Sequence, residues 1–178
     1  MIGNRNLSTT FERLTVDAIH RLTMFADYFQ FVAMDVDSGD DFSALWTDEA
    51  LERMVAVGSS AVSLGTLRNV DVEVEIHVVD ELPKLPLAEY DHVAEGSFDT
   101  PTGSLAVMGC TGFLPDAYRV DVPPGSYQFL YLVRGVGSVT DESSPANDLY
   151  ILYIARGEER PPTLIKHWKA AIQPELLP

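Results

Sequence analysis

The chain has 178 residues, 46% of them apolar, and 27 acids against 12 bases give it a formal charge of −15 at pH 7. That length predicts one domain spanning 1–178, and the composition is that of a soluble globular chain, with no run near the 18 or so unbroken apolar residues of a membrane span. So negative a field repels nucleic-acid phosphates and anionic lipid, which excludes nucleic acid and membrane as expected partners and favours a basic protein.

The chain opens MIGNRNLSTTFERLT, with arginines but no apolar run or small-residue cleavage site after them, so a cytoplasmic address is expected. Residues 1–20 and 157–178 are expected to be peripheral extensions of the domain. Residues 22–36 form an apolar and aromatic run longer than a mean strand, which predicts a bulge or bend inside it. The acid-rich stretch DVDSGDDF follows at 35–42. A helix is predicted over 46–57: Thr47 can cap it, Asp48 and Glu49 favour its dipole, Leu51, Met54 and Val55 share a face, and Gly58 ends it. Strands are predicted at 61–67 and 70–78, the second from strict alternation of Val70, Val72, Val74, Ile76 and Val78 with Asp71, Glu73, Glu75 and His77. A surface loop covers 81–91. Further strands are predicted at 94–98, 105–110, 118–122, 127–133 and 149–154, with hairpins at DTPTGS (99–104) and PPG (123–125) and a loop at 140–148. Several short strands with one short helix predict a mainly β fold, an antiparallel β-sandwich.

Charge is unevenly spread. Seven acids and one base, Arg53, lie between Asp35 and Arg53, and nine acids with only Lys84 lie between Asp71 and Asp99. As an EF-hand loop beginning at Asp35, the first cluster fails, because Asp40 stands where the turn needs glycine and Trp46 where a bidentate glutamate belongs. A solvated loop or a surface for a cationic partner is the better reading. Asp71, Glu73, Glu75 and His77 share one face of their strand, a row suited to Lys or Arg on a partner and unfavourable to stray strand pairing. No metal site is expected there. The sole cysteine, Cys110, sits in LAVMGCTGFLP with no nearby base, and is expected to be a buried structural thiol. Nucleophile-elbow, phosphate-loop, zinc-helix and dinucleotide motifs are missing from the sequence, so neither enzymatic activity nor a cofactor is expected. A hydrolase would need His77 or His92 to meet a nucleophile in a pocket. Tyr28, Tyr127, Tyr131, Tyr150 and Tyr153 are candidates to line a carbohydrate or peptide groove.

Three segments carry a resemblance: MFADYFQFVAMD at 24–35, WTDEALERMVAVGSSAVSLGTLRNVDVEVEI at 46–76 and VDVPPGSYQFLYLV at 120–133. Together they resemble the competence protein J family, most specifically through Trp46, Thr47, Asp48, Glu49 and Ala50 with Arg68 and Asn69. That resemblance implies an acidic inhibitor that binds a nuclease of DNA uptake. Carboxylates arranged like phosphates could fill the cationic groove of such an enzyme. The candidate contacts are Asp35, Asp37, Asp40 and Asp41, with Glu73 and Glu75 as a second strip. The expected function is thus an acidic protein-binding module whose partner is a basic protein of nuclease type. A small-molecule, carbohydrate or calcium-binding β-sandwich is the alternative.

Overall fold

The computed structural model describes residues 18–169, so the parts of the expected extensions 1–20 and 157–178 that fall at 1–17 and 170–178 lie outside the described residues. Two sheets face each other. A six-stranded sheet has the order β1 (Ala18–Phe25), β5 (Asp71–Val79), β10 (Leu149–Arg156), β9 (Gly125–Arg134), β6 (His92–Thr100), β11 (Thr163–Lys166). A five-stranded sheet has the order β3 (Val55–Val57), β4 (Ala61–Gly65), β2 (Gln30–Asp35), β7 (Ser104–Gly109), β8 (Tyr118–Asp121). Pairing is antiparallel except for β5 with β10, which run parallel. The sandwich expected from the sequence is therefore present, with one parallel ladder that its short-turn pattern does not announce.

The core fills the gap between the sheets. From the six-stranded side it takes Val72, Val74 and Ile76 of β5, Tyr150, Leu152 and Ile154 of β10, and Tyr127, Phe129, Tyr131 and Val133 of β9; Phe31, Ala33, Leu64, Leu105 and Val107 come from the other. Period-two alternation puts these residues on one face of each strand. Each such large side chain, once removed from water, contributes about 1.5–3 kcal/mol. The Tyr131 hydroxyl donates to Gly65 O at 2.5 Å and so ties the two layers with a polar bond inside the core. A smaller apolar layer, Tyr90, Val93, Leu132 and Ile151, lies on the outer face of the six-stranded sheet, with Leu85 of the 81–91 loop packed on it.

The chain changes sheets where hairpins and a bend were expected. The run 22–36 is two strands, β1 in one sheet and β2 in the other, separated by a single 3-10 turn at Asp27–Phe29. The turns at 99–104 and 123–125 are not hairpins, since β6 pairs with β9 and β11 whereas β7 pairs with β2 and β8. Both carry the chain between layers. Gly103 has φ +76°, and a Cβ there would stand 2.3 Å from Val122 O, so the crossover needs glycine at this point.

The helix prediction also needs correction. Asp41 caps a short helix α1 (Phe42–Leu45), and Thr47 caps α2 (Asp48–Arg53) by accepting from Ala50 N at 3.3 Å. Met54, in left-handed conformation with φ 55°, ends α2 before Gly58, and its amide bonds back into the last turn. Residues 55–57 then extend as β3. The segment expected to be peripheral at the C-terminal side supplies an edge strand, β11, which pairs with β6.

Candidate functional site

The acidic stretch DVDSGDDF begins where β2 ends. Phe31 and Ala33 face the core, and Asp35 continues their parity, so its carboxylate enters the protein and is 1% exposed. There Oδ2 accepts from the Thr100 hydroxyl (2.7 Å), the Thr102 amide (2.9 Å) and the Thr102 hydroxyl (2.8 Å), while Oδ1 accepts from the Asp37 amide (3.0 Å). Burial pushes its pKa up, and these bonds together outweigh burial and hold the carboxyl below its ordinary value. Expected among the partner contacts, Asp35 instead clamps β2 to the crossover after β6.

Asp40 is also occupied. Its Oδ1 accepts from the Ser59 amide and hydroxyl (3.1 and 2.9 Å), and Oδ2 from the Ser60 amide (2.8 Å) and the Ser38 hydroxyl (3.0 Å), fixing the loop to the turn between β3 and β4. Gly58 leaves room for it, because a Cβ there would lie 2.5 Å from the Asp40 carboxyl carbon. Asp41 accepts from the Ser43 amide and hydroxyl but stays exposed, and Asp37 is exposed as well. Two of the four aspartates thus present their charge freely and two hold the loop in place. The donors that satisfy Asp35 and Asp40 are the hydroxyls and amides of this chain, which leaves those oxygens committed before any cation arrives.

Glu73 and Glu75 do not join this loop. They stand on the outer face of the six-stranded sheet, whereas the loop follows a strand of the other sheet. Glu75 accepts from Arg21 Nε at 3.0 Å and contacts His77 Nε2 at 2.8 Å, and Glu73 accepts from the Thr23 hydroxyl at 3.0 Å. His77 stacks on Tyr153 with ring centroids 4.3 Å apart. Among the described residues, no group of three or more His, Cys, Asp or Glu is placed to hold a metal ion. Tyr127, Tyr131 and Tyr150 are core residues rather than a groove lining. Cys110 is half-buried, and its thiol donates to Asp27 O at 3.1 Å; burial and the nearby Asp27 charge push its pKa up.

The Trp46-Thr47-Asp48-Glu49 stretch at the helix start borders a cleft that the sequence does not reveal. Tyr28, Phe29, Gln30, Trp46, Leu51, Met54, Leu67 and Trp168 line it, and its volume is about 370 Å³. The corner from β1 to β2 forms one wall: Tyr28 and Phe29 have φ 53° and 58°, a conformation uncommon for large side chains, and they are 70% and 38% exposed. Trp46 is held by its indole N–H, which donates to Gln30 Oε1 at 2.7 Å. That same oxygen accepts from the Ser63 hydroxyl at 2.7 Å. Asp48 and Glu49 are exposed on the first turn of α2 beside it.

Arg68 and Asn69 stand behind this cleft, in the connection from β4 to β5. Arg68 is buried and donates through Nε to Asp148 at 2.8 Å, and Asp148 also accepts from the Tyr150 hydroxyl at 2.6 Å. The Asp148 carboxylate raises the arginine pKa, and burial only partly opposes it. The Asn69 amide donates to Glu142 O at 2.9 Å. These bonds fasten the connection to the 140–148 loop, so this half of the motif builds the fold rather than a contact surface. Trp168 closes the far side. Its amide donates to His92 Nδ1 at 3.4 Å, and His92 Nε2 lies 2.7 Å from Arg53 O at the end of α2. A neutral ring with its proton on Nε2 satisfies both bonds. Among the described residues its hydrogen-bond partners are these two backbone groups, so His92 pins the C-terminal segment to α2.

A model of the competence protein J family matches residues 23–154. In structure, the chain is similar to ComJ of Bacillus subtilis, described as an inhibitor of the DNA degrading activity of NucA, at a TM-score of 0.58 and 20% identity over 79% of this chain and 96% of that one. It is also similar to the product of crocagin biosynthetic gene J, at a TM-score of 0.57 and 17% identity over 80% of this chain and 99% of that one. A search of the curated proteins finds no match to the sequence.

Proposed function

This chain belongs to the competence protein J family, and from that premise we propose that it inhibits a nuclease by binding a basic face of the enzyme, with no chemistry of its own. The observation that carries the reading is the structural similarity to a protein described as an inhibitor of a DNA-degrading activity, over nearly the whole of that protein. The charge supports it: an enzyme that holds polyanions has a cationic groove, and this chain carries −15. The segment from Asp37 to Glu52 is the surface best suited to meet it. It is anchored near one end by Asp40 on the 58–60 turn and near its middle by Trp46 on Gln30, and it exposes Asp37, Asp41, Asp48, Glu49 and Glu52. These two anchors hold the segment in place before the partner arrives, which lowers the ordering cost of binding.

The test is inhibition of a panel of bacterial nucleases across a salt series, with an Asp37→Lys, Glu52→Lys variant beside the parent chain. Both positions are exposed and neither carboxylate has a hydrogen-bond partner among the described residues, so the variant should fold as the parent does. Inhibition that falls with rising salt and is lost in the variant supports the reading. Inhibition indifferent to both would refute the charge-based part of it, and the lack of inhibition of any nuclease would refute the function.

A further inference from the structure

We propose that the cleft bounded by Tyr28, Phe29, Trp46, Leu51, Leu67 and Trp168 is an anchor site for a single aromatic or aliphatic side chain projecting from a basic segment of the protein partner. The inference rests on the nuclease-inhibitor reading for its partner and adds where and how that partner is gripped. The lining is apolar and aromatic, yet Leu51 is 60% exposed and Tyr28 is 70% exposed, an apolar cost that a folded chain usually avoids by turning such residues inward. The left-handed backbone at Tyr28 and Phe29 holds two large rings outward at a corner that a tighter turn of smaller residues could have made.

Charge at the rim selects the occupant. Asp48, Glu49 and Glu52 are exposed around Leu51 on α2; among the described residues, the nearby cations are Arg53 and Lys169, the latter with its ammonium 6.0 Å from the Trp168 ring. A net acidic rim around an apolar floor matches an apolar side chain flanked by Lys or Arg, and it disfavours nucleic acid and anionic lipid. Apolar anchors seated in a pocket with complementary charge around them dominate the affinity of many protein interfaces. The volume of about 370 Å³ is ample for one Phe, Leu or Met side chain.

The chain supplies its own reporter, because its two tryptophans, Trp46 and Trp168, both line the cleft. The experiment titrates the full chain with three tryptophan-free peptides and follows intrinsic fluorescence: a Phe flanked on each side by three Lys, the same peptide with Gly for Phe, and a Phe flanked by Ser. The Lys-flanked Phe peptide is expected to shift the emission and to bind about tenfold or more tightly than either control, as burial of one aromatic side chain requires. A Leu51→Gln change at this exposed position should remove most of that difference and leave the fold intact. Equal binding of the Phe and Gly peptides would overturn the anchor, and equal binding of the Ser-flanked peptide would overturn the basic flank. A free protein that sediments as a dimer, broken by Leu51→Gln, would overturn it by making a second copy the occupant. A nuclease inhibited equally by parent and Leu51→Gln chains would overturn the anchor alone and leave the inhibitor reading standing. Anchored-peptide binding with no nuclease inhibited would overturn that reading instead.

Discussion

Replacing His92 with Gln should flatten the pH dependence of stability between pH 7 and 4.5. The ring is fully buried, with Trp168 N donating to Nδ1 and Nε2–H donating to Arg53 O. Burial pushes its pKa down from 6.5 to about 4; the bond to the Arg53 carbonyl opposes this, and the neighbouring His167, with ring centroid 5.7 Å away, adds to it. The unfolded chain therefore takes up a proton near pH 6.5 while the folded chain refuses it until about 4. The sign follows: the contribution is complete above pH 6.5 and is lost as pH falls toward 4. A gap of roughly 2.5 pH units at about 1.36 kcal/mol each amounts to about 3 kcal/mol, of which about 2 kcal/mol is lost between pH 7 and 4.5. Urea unfolding at the two pH values measures it. The parent should lose about 2 kcal/mol more than His92→Gln over that interval, even though the variant starts lower at pH 7 for want of the Trp168 bond. Equal losses in the two chains would refute the reasoning.

Other changes separate the structural aspartates from the exposed ones. Asp35→Ala should destabilise by roughly 3 kcal/mol in urea unfolding, because the Thr100 and Thr102 donors lose a buried charged partner, while Asp37→Ala should stay within about 0.5 kcal/mol. Arg68→Met leaves Asp148 buried and unpaired, which should cost about 3–5 kcal/mol, and adding Asp148→Leu should recover much of it in a double-mutant cycle. Gly103→Ala should cost about 1–3 kcal/mol in thermal unfolding, since neither φ +76° nor the space beside Val122 O accepts a Cβ. Below pH 4 a second loss of stability should follow as Asp35, Asp40 and Glu75, whose folded pKa values lie below the ordinary carboxyl range, are protonated.

The strands were legible wherever one face is core. β5 alternates strictly and lies at Asp71–Val79, within one residue of the predicted range at each end. The start of α2 was equally readable, because a Thr cap followed by two acids is a local signal. What failed was anything decided by the partner sheet. Turn chemistry at Gly103 and Gly125 announces a reversal but not which layer the next strand joins, so two crossovers read as hairpins. The end of α2 went unseen because a methionine, not a glycine, adopts the left-handed cap. The break in 22–36 was legible only as a bend: aromatic residues at positive φ give no turn signal, so nothing local placed the corner at Tyr28 and Phe29 or showed that the chain changes sheets there.

The acidic loop was legible as a cluster and not as a set of roles. One signal could have separated its members: the parity of Phe31, Ala33 and Asp35 in β2 places Asp35 on the core side, one step from residues that alternate inward. Asp40 gives no such clue, since its partners, Ser59 and Ser60, are nearly twenty residues away and meet it only when β3 and β4 form their turn. The cleft draws its walls from residues 28, 46, 51, 67 and 168, a set that no window of sequence contains. Trp168 in particular comes from a segment expected to be peripheral.

The most direct test of the inhibitor account is the rate at which a nuclease of the NucA type degrades plasmid DNA as this protein is added. The account predicts a dose-dependent fall that saturates near one inhibitor per enzyme and weakens as salt rises. An unchanged rate at about tenfold excess of the protein in low salt, across the nuclease panel, would contradict it.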